Sequence, residues 1–232
     1  MSFLSSDFLK QRRPPGCQEA GSPWQIPKQS RHHDRDLRPG SQESYSFCSS
    51  PAVKKGIILS EDPEFKTQSA ALSAKQADDV TNITYSWLPV DLDTSKDGEH
   101  NGDNYVAYTF YCKNNGQATL DYDAVLEITG VAKSADEAVR VMVYKNGEPT
   151  IYGKGKYDDR NTAETDCTKF NTDTEVMTTA TEDFKVGDVD KYTIVIWIEG
   201  NDPECIDDIR NGHIRMRMLF SVRDDETTAP AN

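Results

Sequence analysis

Two segments near the C-terminus carry the clearest pattern of apolar and polar positions. Over residues 214–222 apolar side chains alternate with mostly polar ones, which is the period of a strand with one buried face. Residues 192–198 are instead apolar on both faces, as in a central strand covered on both sides. Between them, Asp202, Pro203 and Gly212 suit the cap, first position and end of a short helical turn. The pattern predicts strand, helical turn, strand.

Further strand signals recur at short spacing from residue 80 onward. Asn146-Gly147 predicts a tight hairpin turn between two of them, residues 134–138 predict one helical turn, and the polar residues 155–172 predict a long loop. About eight strands in this space predict an all-β fold, an antiparallel β-sandwich of the jelly-roll-like kind. The other predicted strands cover residues 82–87, 105–113, 120–128, 139–143, 150–152 and 174–179.

Charge divides the chain into two unlike parts. The first 55 residues hold nine Lys/Arg and five Asp/Glu, whereas the remaining 177 hold 17 and 34. Residues 1–55 are basic, rich in Pro and Ser and poor in apolar side chains, so we expect disorder there. Residues 56–79 are expected to be a linker or first strand, residues 80–223 the acidic sandwich, and residues 224–232 a disordered tail.

Composition also limits the partners and the location. A domain this acidic repels nucleic acid, and the sequence contains no apolar run of about 18 residues that would span a membrane. The apolar part of the N-terminus is too short to predict a secretory signal. Five cysteines are consistent with one disulfide in the domain or with thiols throughout.

A stretch of oxygen-bearing side chains matches part of a calcium loop. Asp93, Ser95 and Asp97 occupy positions one, three and five, and Gly98 stands at six, where a calcium loop turns sharply. Glu99 and Asn101 extend the set, but Asn104 stands at position twelve, where the loop motif has a bidentate Glu. The alternative is an exposed loop between strands. Calcium is the one cofactor that the sequence suggests.

A second acidic cluster lies in the connection before the last strand. Carboxylates this close raise one another's pKa and are able to gather a cation or exchange protons, although capping of a solvated turn explains most of them. No nucleophile, zinc or phosphate-loop motif accompanies them, so no catalytic residue is predicted. The cluster comprises Glu199, Asp202, Glu204, Asp207 and Asp208.

The chain contains the tracts NYVAYTFYCKNNG, EAVRVMVYKNGE and EDFKVGDVDKYTIVIWIEGNDPECIDDI. Together they resemble the TasA and camelysin class of exported Gram-positive surface proteins, over roughly residues 80–222. It implies a jelly-roll-like sandwich, export, and a non-enzymatic structural, biofilm-matrix or adhesion role at the cell surface. The protease activity described for camelysin members has no zinc-ligand motif here to support it.

The same resemblance implies self-association or contact with other surface proteins, with an N-terminal strand donated to the next subunit. The short apolar run Gly56, Ile57, Ile58 and Leu59 is the candidate donor, because an added strand satisfies an exposed sheet edge. A first strand of the same domain is the alternative. A calcium-assisted carbohydrate-binding module is the second functional hypothesis, and a carboxylate hydrolase is the third.

Overall fold

Eleven strands form two sheets in the computed structural model, which describes residues 2–8, 55–72, 80–209 and 212–223. In the larger sheet the order is β2-β4-β10-β6-β7-β8, with β3 also beside β4, and in the smaller sheet it is β1-β11-β5-β9. The strands are β1 (Ser2–Phe8), β2 (Ile57–Ser60), β3 (Gly98–Glu99), β4 (Tyr105–Asn114), β5 (Leu120–Ala132), β6 (Val139–Lys145), β7 (Glu148–Gly153), β8 (Thr168–Lys169), β9 (Glu175–Phe184), β10 (Val189–Ile198) and β11 (His213–Arg223).

The predicted all-β sandwich is confirmed, and its strands outnumber the eight expected because several are short. The β6–β7 hairpin turns at Asn146 (φ 54) and Gly147 (φ 89), the left-handed pair that the Asn-Gly signal predicts. The strand expected over residues 82–87 is wrong, because a 3-10 turn occupies Tyr85–Trp87. Strands β7 and β8 pair in parallel, whereas the other pairs of described strands are antiparallel.

Aromatic and aliphatic side chains from both sheets fill the space between them. Phe110 and Tyr192 stack with ring centroids 5.5 Å apart, and Phe220 of the smaller sheet meets both rings edge-on. Phe110, Tyr192 and Phe220 are all fully buried. The alternation predicted for the last strand is confirmed, since Met216 and Met218 are buried on the same face as Phe220.

The outer face of the larger sheet is covered by the long loop between residues 80 and 104. Ile83, Leu88 and Leu92 from this loop pack against Val195 and Trp197 of β10. This cover explains why β10 is apolar on both faces, as its pattern predicts. The loop also brings the 3-10 turn Tyr85–Trp87 to the end of the sheet where β10 finishes, because the amide of Ile83 donates to the carbonyl of Ile198 over 2.9 Å.

The connection between β10 and β11 crosses from one sheet to the other. Its 3-10 turn spans Asp207–Ile209, later than the turn predicted to begin at Asp202. Asp202 still acts as a local cap, because its Oδ1 accepts the amide of Glu204 over 2.8 Å. The connection is anchored by Ile209, which is buried in the main core.

Two N-terminal segments contribute edge strands. β2 pairs with β4 of the same chain, and Ile57 and Leu59 are fully buried, so the proposed donor run is the first strand of its own larger sheet. Donation to another subunit stays a prediction. Ser2–Phe8 pairs with β11, unlike the disorder expected there, since the edge of β11 offers free backbone groups. Residues 9–54 and 224–232 lie outside the described residues.

Within the described ranges, no helix is long and apolar enough to cross a membrane. Among the described residues, Cys112, Cys167 and Cys205 form no disulfide, and Cys112 and Cys205 are buried. Both cysteine hypotheses stay predictions.

Candidate functional site: a cleft beside Arg140

A cleft of about 1020 Å³ opens at the end of the larger sheet where β10 finishes. Arg140 of β6, Ile151 of β7 and Trp197 of β10 line it from the outer face of the sheet. Three further segments complete the lining, namely residues 84–86, residues 156–158 with 164–167, and residue 199 with 201–204. Clefts of about this size are common among small-ligand sites.

Arg140 is a charged side chain on a face of β6 that is otherwise apolar. Its register partners are Trp197 and Gly153, and a Cβ on Gly153 would lie 3.1 to 3.3 Å from the Arg140 side chain. Glycine therefore leaves the space that the guanidinium needs. The buried Arg140 forms an ion pair with Asp202, whose side chain is fully buried. Because an unpaired buried charge is costly, this pair fixes the connection 199–204 against the sheet.

Three carboxylates meet beside this ion pair. Oxygens of Glu164, Asp202 and Glu204 lie within 4.8 Å of one another, and Glu164 lies 3.9 Å from the Arg140 guanidinium. A hydrogen bond with Asp202, followed by burial, raises the pKa of Glu204 to about 7. Burial and the nearby Asp202 also raise the pKa of Glu164, against the opposing charge of Arg140. Such an all-oxygen set suits a hard divalent cation.

The wall formed by residues 156–167 is held through its own ion pairs. Arg160 contacts Glu137 over 2.5 Å, and Lys154 contacts Glu137 over 3.0 Å and also pairs with Asp136. Burial opposes ionisation of Glu137, but the hydrogen bonds from Arg160 and Lys154 lower its pKa below the usual value. Thus a charged network fixes the polar loop that the sequence predicts over residues 155–172.

Aromatic side chains border the cleft. Tyr157 is 67% exposed and Tyr85 is 55% exposed, and the Arg160 guanidinium lies 5.0 Å from the centre of the Tyr157 ring. Tyr85 lies against the buried Trp197, with ring centroids 6.3 Å apart. Glu199 fixes this side, since its carboxylate accepts from the Tyr85 amide over 3.2 Å and from the Trp197 indole over 3.0 Å.

The residues of the predicted calcium loop do not converge. Among the described residues, the carboxylates of Asp93, Asp97 and Glu99 form no group within coordination distance. Asp93 accepts from Thr193 over 2.8 Å, and Asp97 accepts from Tyr111 over 2.6 Å. These contacts tie the loop to β4 and β10.

The remaining predicted ligands also serve the loop and its strand. Asn101 accepts from the Ala107 amide over 3.0 Å, Ser95 donates its amide to the carbonyl of Asp91 over 2.8 Å, and Glu99 lies in β3. The side chains of Asp93, Asp97 and Asn101 thus each contact a different neighbour and anchor the loop. Calcium binding by this loop stays a prediction.

The predicted second acidic cluster is only partly assembled. Asp202 and Glu204 line the cleft together with Glu199, whereas the exposed Asp207 and Asp208 belong to the following 3-10 turn and lie outside the lining. The sequence interpretation missed Glu164, Tyr157 and Arg140. For Arg140 the sequence does contain a signal, because one charged residue interrupts an otherwise apolar strand pattern. Val139 and Val141 flank it, and the next residue on its own face is the apolar Met142. Glu164 and Tyr157 carried none, because they belong to an irregular polar loop.

No protein-family model and no curated protein matches the chain. Among solved structures, the chain is similar to a β-glucosidase from Kluyveromyces marxianus, at 18% identity and a TM-score of 0.26 over 53% of this chain and 12% of that one. A second structure of that enzyme, in complex with glucose, gives 16% identity and a TM-score of 0.28 over 62% and 16% of the two chains. The chain thus spans less than a fifth of those structures, and a likeness this weak carries no argument about function.

Replacing Arg140 tests whether its ion pair fixes the cleft. Arg140→Gln leaves the fully buried carboxylate of Asp202 without its cation, so we expect the free energy of unfolding to fall by about 3 to 5 kcal/mol. Urea denaturation measures the change. Arg217→Gln is the matched control, because Arg217 pairs with Glu127 at the surface over 2.8 Å and its loss is expected to cost less than about 1 kcal/mol. Equal small losses would contradict a structural role for the buried pair.

Acid should weaken the wall held by Glu137. Since the folded pKa of Glu137 is lowered, its stabilisation is complete above the unfolded pKa of about 4.3 and is lost as the pH falls through the folded value. We expect Glu137→Gln to melt lower than the parent protein at neutral pH and to approach it at about pH 3. Thermal melts monitored by circular dichroism compare the two. A difference that stays constant across this pH range would refute the assignment.

Proposed function

We propose that this protein is a non-enzymatic adhesion module whose cleft beside Arg140 binds carbohydrate. The observation that carries this proposal is a cleft of about 1020 Å³ bordered by the exposed rings of Tyr85 and Tyr157. Aromatic rings offer flat apolar surfaces for the C–H faces of a pyranose, and a few placed polar groups orient its hydroxyls. Glu164, Glu204 and Lys156 supply those polar groups in the lining.

The burial of Asp202 supports binding rather than hydrolysis. A glycosidase needs two carboxyl groups that flank the scissile bond, separated by about 5 to 9.5 Å. Here the side chain of Asp202 is 0% exposed and is paired with Arg140. The remaining acid of the group, Glu164, has a carboxylate oxygen within 4.8 Å of one of Glu204, closer than the two carboxyl groups of a glycosidase stand. Two acids this close suit recognition of a polar group better than cleavage of a bond between them.

A divalent cation is the alternative way for the carboxylates to contact a sugar. Glu164, Asp202 and Glu204 would be its ligands, which moves the calcium hypothesis from the Asp93 loop to the cleft. Arg140 already supplies one positive charge at this point, which favours direct contact between side chains and sugar. Calcium dependence of binding separates the two arrangements.

The surface location in this proposal comes from the resemblance to exported Gram-positive proteins. The acidic composition, 39 Asp/Glu against 26 Lys/Arg, suits a sugar polymer better than a polyanion such as nucleic acid. A matrix or adhesion role then follows from holding a polysaccharide at the cell surface, and assembly into fibres stays a separate prediction.

Calorimetric titration of the full chain with neutral, amino and acidic oligosaccharides tests the proposal. We expect at least one class to bind, and we expect Tyr157→Ala to weaken that binding about tenfold through loss of a stacking ring. Val186→Ala is the control, because Val186 is 53% exposed and lies in the turn between β9 and β10, away from the cleft. The same titration with a chelator present measures any need for calcium.

Two results would contradict the proposed function. The absence of heat with every sugar class, from protein that melts cooperatively, would remove carbohydrate binding. Release of shorter sugars during prolonged incubation would instead show hydrolysis and remove the non-enzymatic assignment. Glu204→Gln would then be expected to abolish that release.

A further inference from the structure

The charges around the cleft are strongly unequal. Six carboxylates line it, those of Asp158, Glu164, Asp166, Glu199, Asp202 and Glu204, against the two cations Arg140 and Lys156. The charge of Arg140 is directly matched by Asp202. A concave site lined by one sign of charge focuses its field on whatever enters. The excess of negative charge is therefore a property of the cleft itself and not only of the acidic chain as a whole.

The carboxylates differ in what they already contact. Glu199 accepts from the amides of Tyr85 and Asn201 and from the Trp197 indole. Asp202 is fully buried against Arg140. Asp158 and Asp166 are exposed to solvent, which screens their charge. Glu164 lies 3.9 Å from the Arg140 guanidinium, and Glu204 shares a hydrogen bond with Asp202. Because Glu164 and Glu204 still line the cleft and are less exposed, a ligand that enters the cleft is able to contact them away from bulk water.

A neutral sugar needs the rings of Tyr85 and Tyr157 and a few hydrogen-bonding groups, but it does not need six carboxylates. A uronic acid or a sulfated sugar would be repelled by them, since like charges at close range are unfavourable. A sugar with an ammonium group gains a charge-assisted hydrogen bond to a carboxylate, which is stronger than a hydrogen bond between neutral groups. The charge of the lining thus discriminates among sugar classes.

We propose that the cleft selects sugars that carry a free amino group, such as 2-amino-2-deoxyhexose units, with Glu164 and Glu204 accepting the ammonium. The inference rests on the proposed carbohydrate-binding function and names its ligand class. One amino sugar stacks on the exposed ring of Tyr157 or Tyr85 and directs its ammonium toward the carboxylates. N-acetylation removes the charge and with it the preference.

The test compares tetrasaccharides of glucosamine, N-acetylglucosamine and glucose by calorimetric titration of the full chain near neutral pH. We expect the glucosamine tetrasaccharide to bind at least about tenfold more tightly than the other two. Added sodium chloride should weaken its binding, because exposed charge interactions are screened, and should leave the neutral tetrasaccharide unaffected. This salt measurement needs no variant.

The double variant Glu164→Gln, Glu204→Gln should remove the preference for glucosamine and retain the weaker binding of the N-acetylated sugar. Glu148→Gln is the control for loss of a single carboxylate away from the cleft, since Glu148 is exposed at the far end of the β6–β7 hairpin. Its glucosamine affinity should equal that of the parent protein. Thermal melts of all three proteins confirm that they are folded.

Several outcomes would overturn the inference. Equal or tighter binding of the N-acetylated or neutral tetrasaccharide would show that the carboxylates do not select the ammonium, while carbohydrate binding itself would stand. Equal losses for all sugars in the double variant would likewise exclude selection of the ammonium by Glu164 and Glu204. If trilysine bound and none of the tetrasaccharides did, the cleft would be assigned to basic peptides, and the proposed function would be removed as well.

Discussion

Arg140 imposes the constraint around which the cleft is organised. A guanidinium buried on the outer face of a sheet requires a carboxylate partner, because the desolvation of an unpaired charge is larger than most single stabilising contacts. Asp202 supplies that partner from a connection that otherwise only links two strands in different sheets. The connection is thereby drawn over the end of β6, and Glu204 follows two residues later into the lining. Glycine at position 153 leaves the room for the arginine. This one ion pair therefore holds the connection in a position that makes the end of the sheet concave.

Much of the fold follows from local pattern. Three features depend only on residues close together in the sequence, so periodicity and turn chemistry predict them. They are the alternation before Phe220, the two apolar faces of β10 and the Asn146-Gly147 turn. The strand expected over residues 82–87 is wrong although its apolar residues do alternate. Ile83 is buried against the outer face of the sheet, whereas Tyr85 and Trp87 are 55% and 71% exposed in a 3-10 turn. Alternation alone does not show whether a segment pairs with a neighbouring strand or covers a sheet as a loop.

The site was harder to predict because its parts come from distant segments. Asp202 and Glu204 are close in the sequence, but Glu164, which lies beside them in the structure, stands about forty positions earlier in an irregular loop. The calcium-loop pattern at Asp93 is the opposite case, in which residues close in the sequence contact different neighbours. Its spacing fits a known motif, yet its carboxylates bind Thr193 and Tyr111 instead. A short acidic motif shows only which residue types lie close together in the sequence. Whether their carboxylates meet at one site depends on tertiary contacts, which a single sequence does not show.

Amide hydrogen exchange of the full chain, with and without the glucosamine tetrasaccharide, tests most directly that these distant segments form one ligand site. We expect slower exchange at residues 84–86, 156–167 and 199–204, with no change in the strands of the smaller sheet. The anchored loop at residues 93–101 should also be unaffected. Slower exchange confined to that loop, or spread evenly over the sandwich, would contradict a binding cleft beside Arg140.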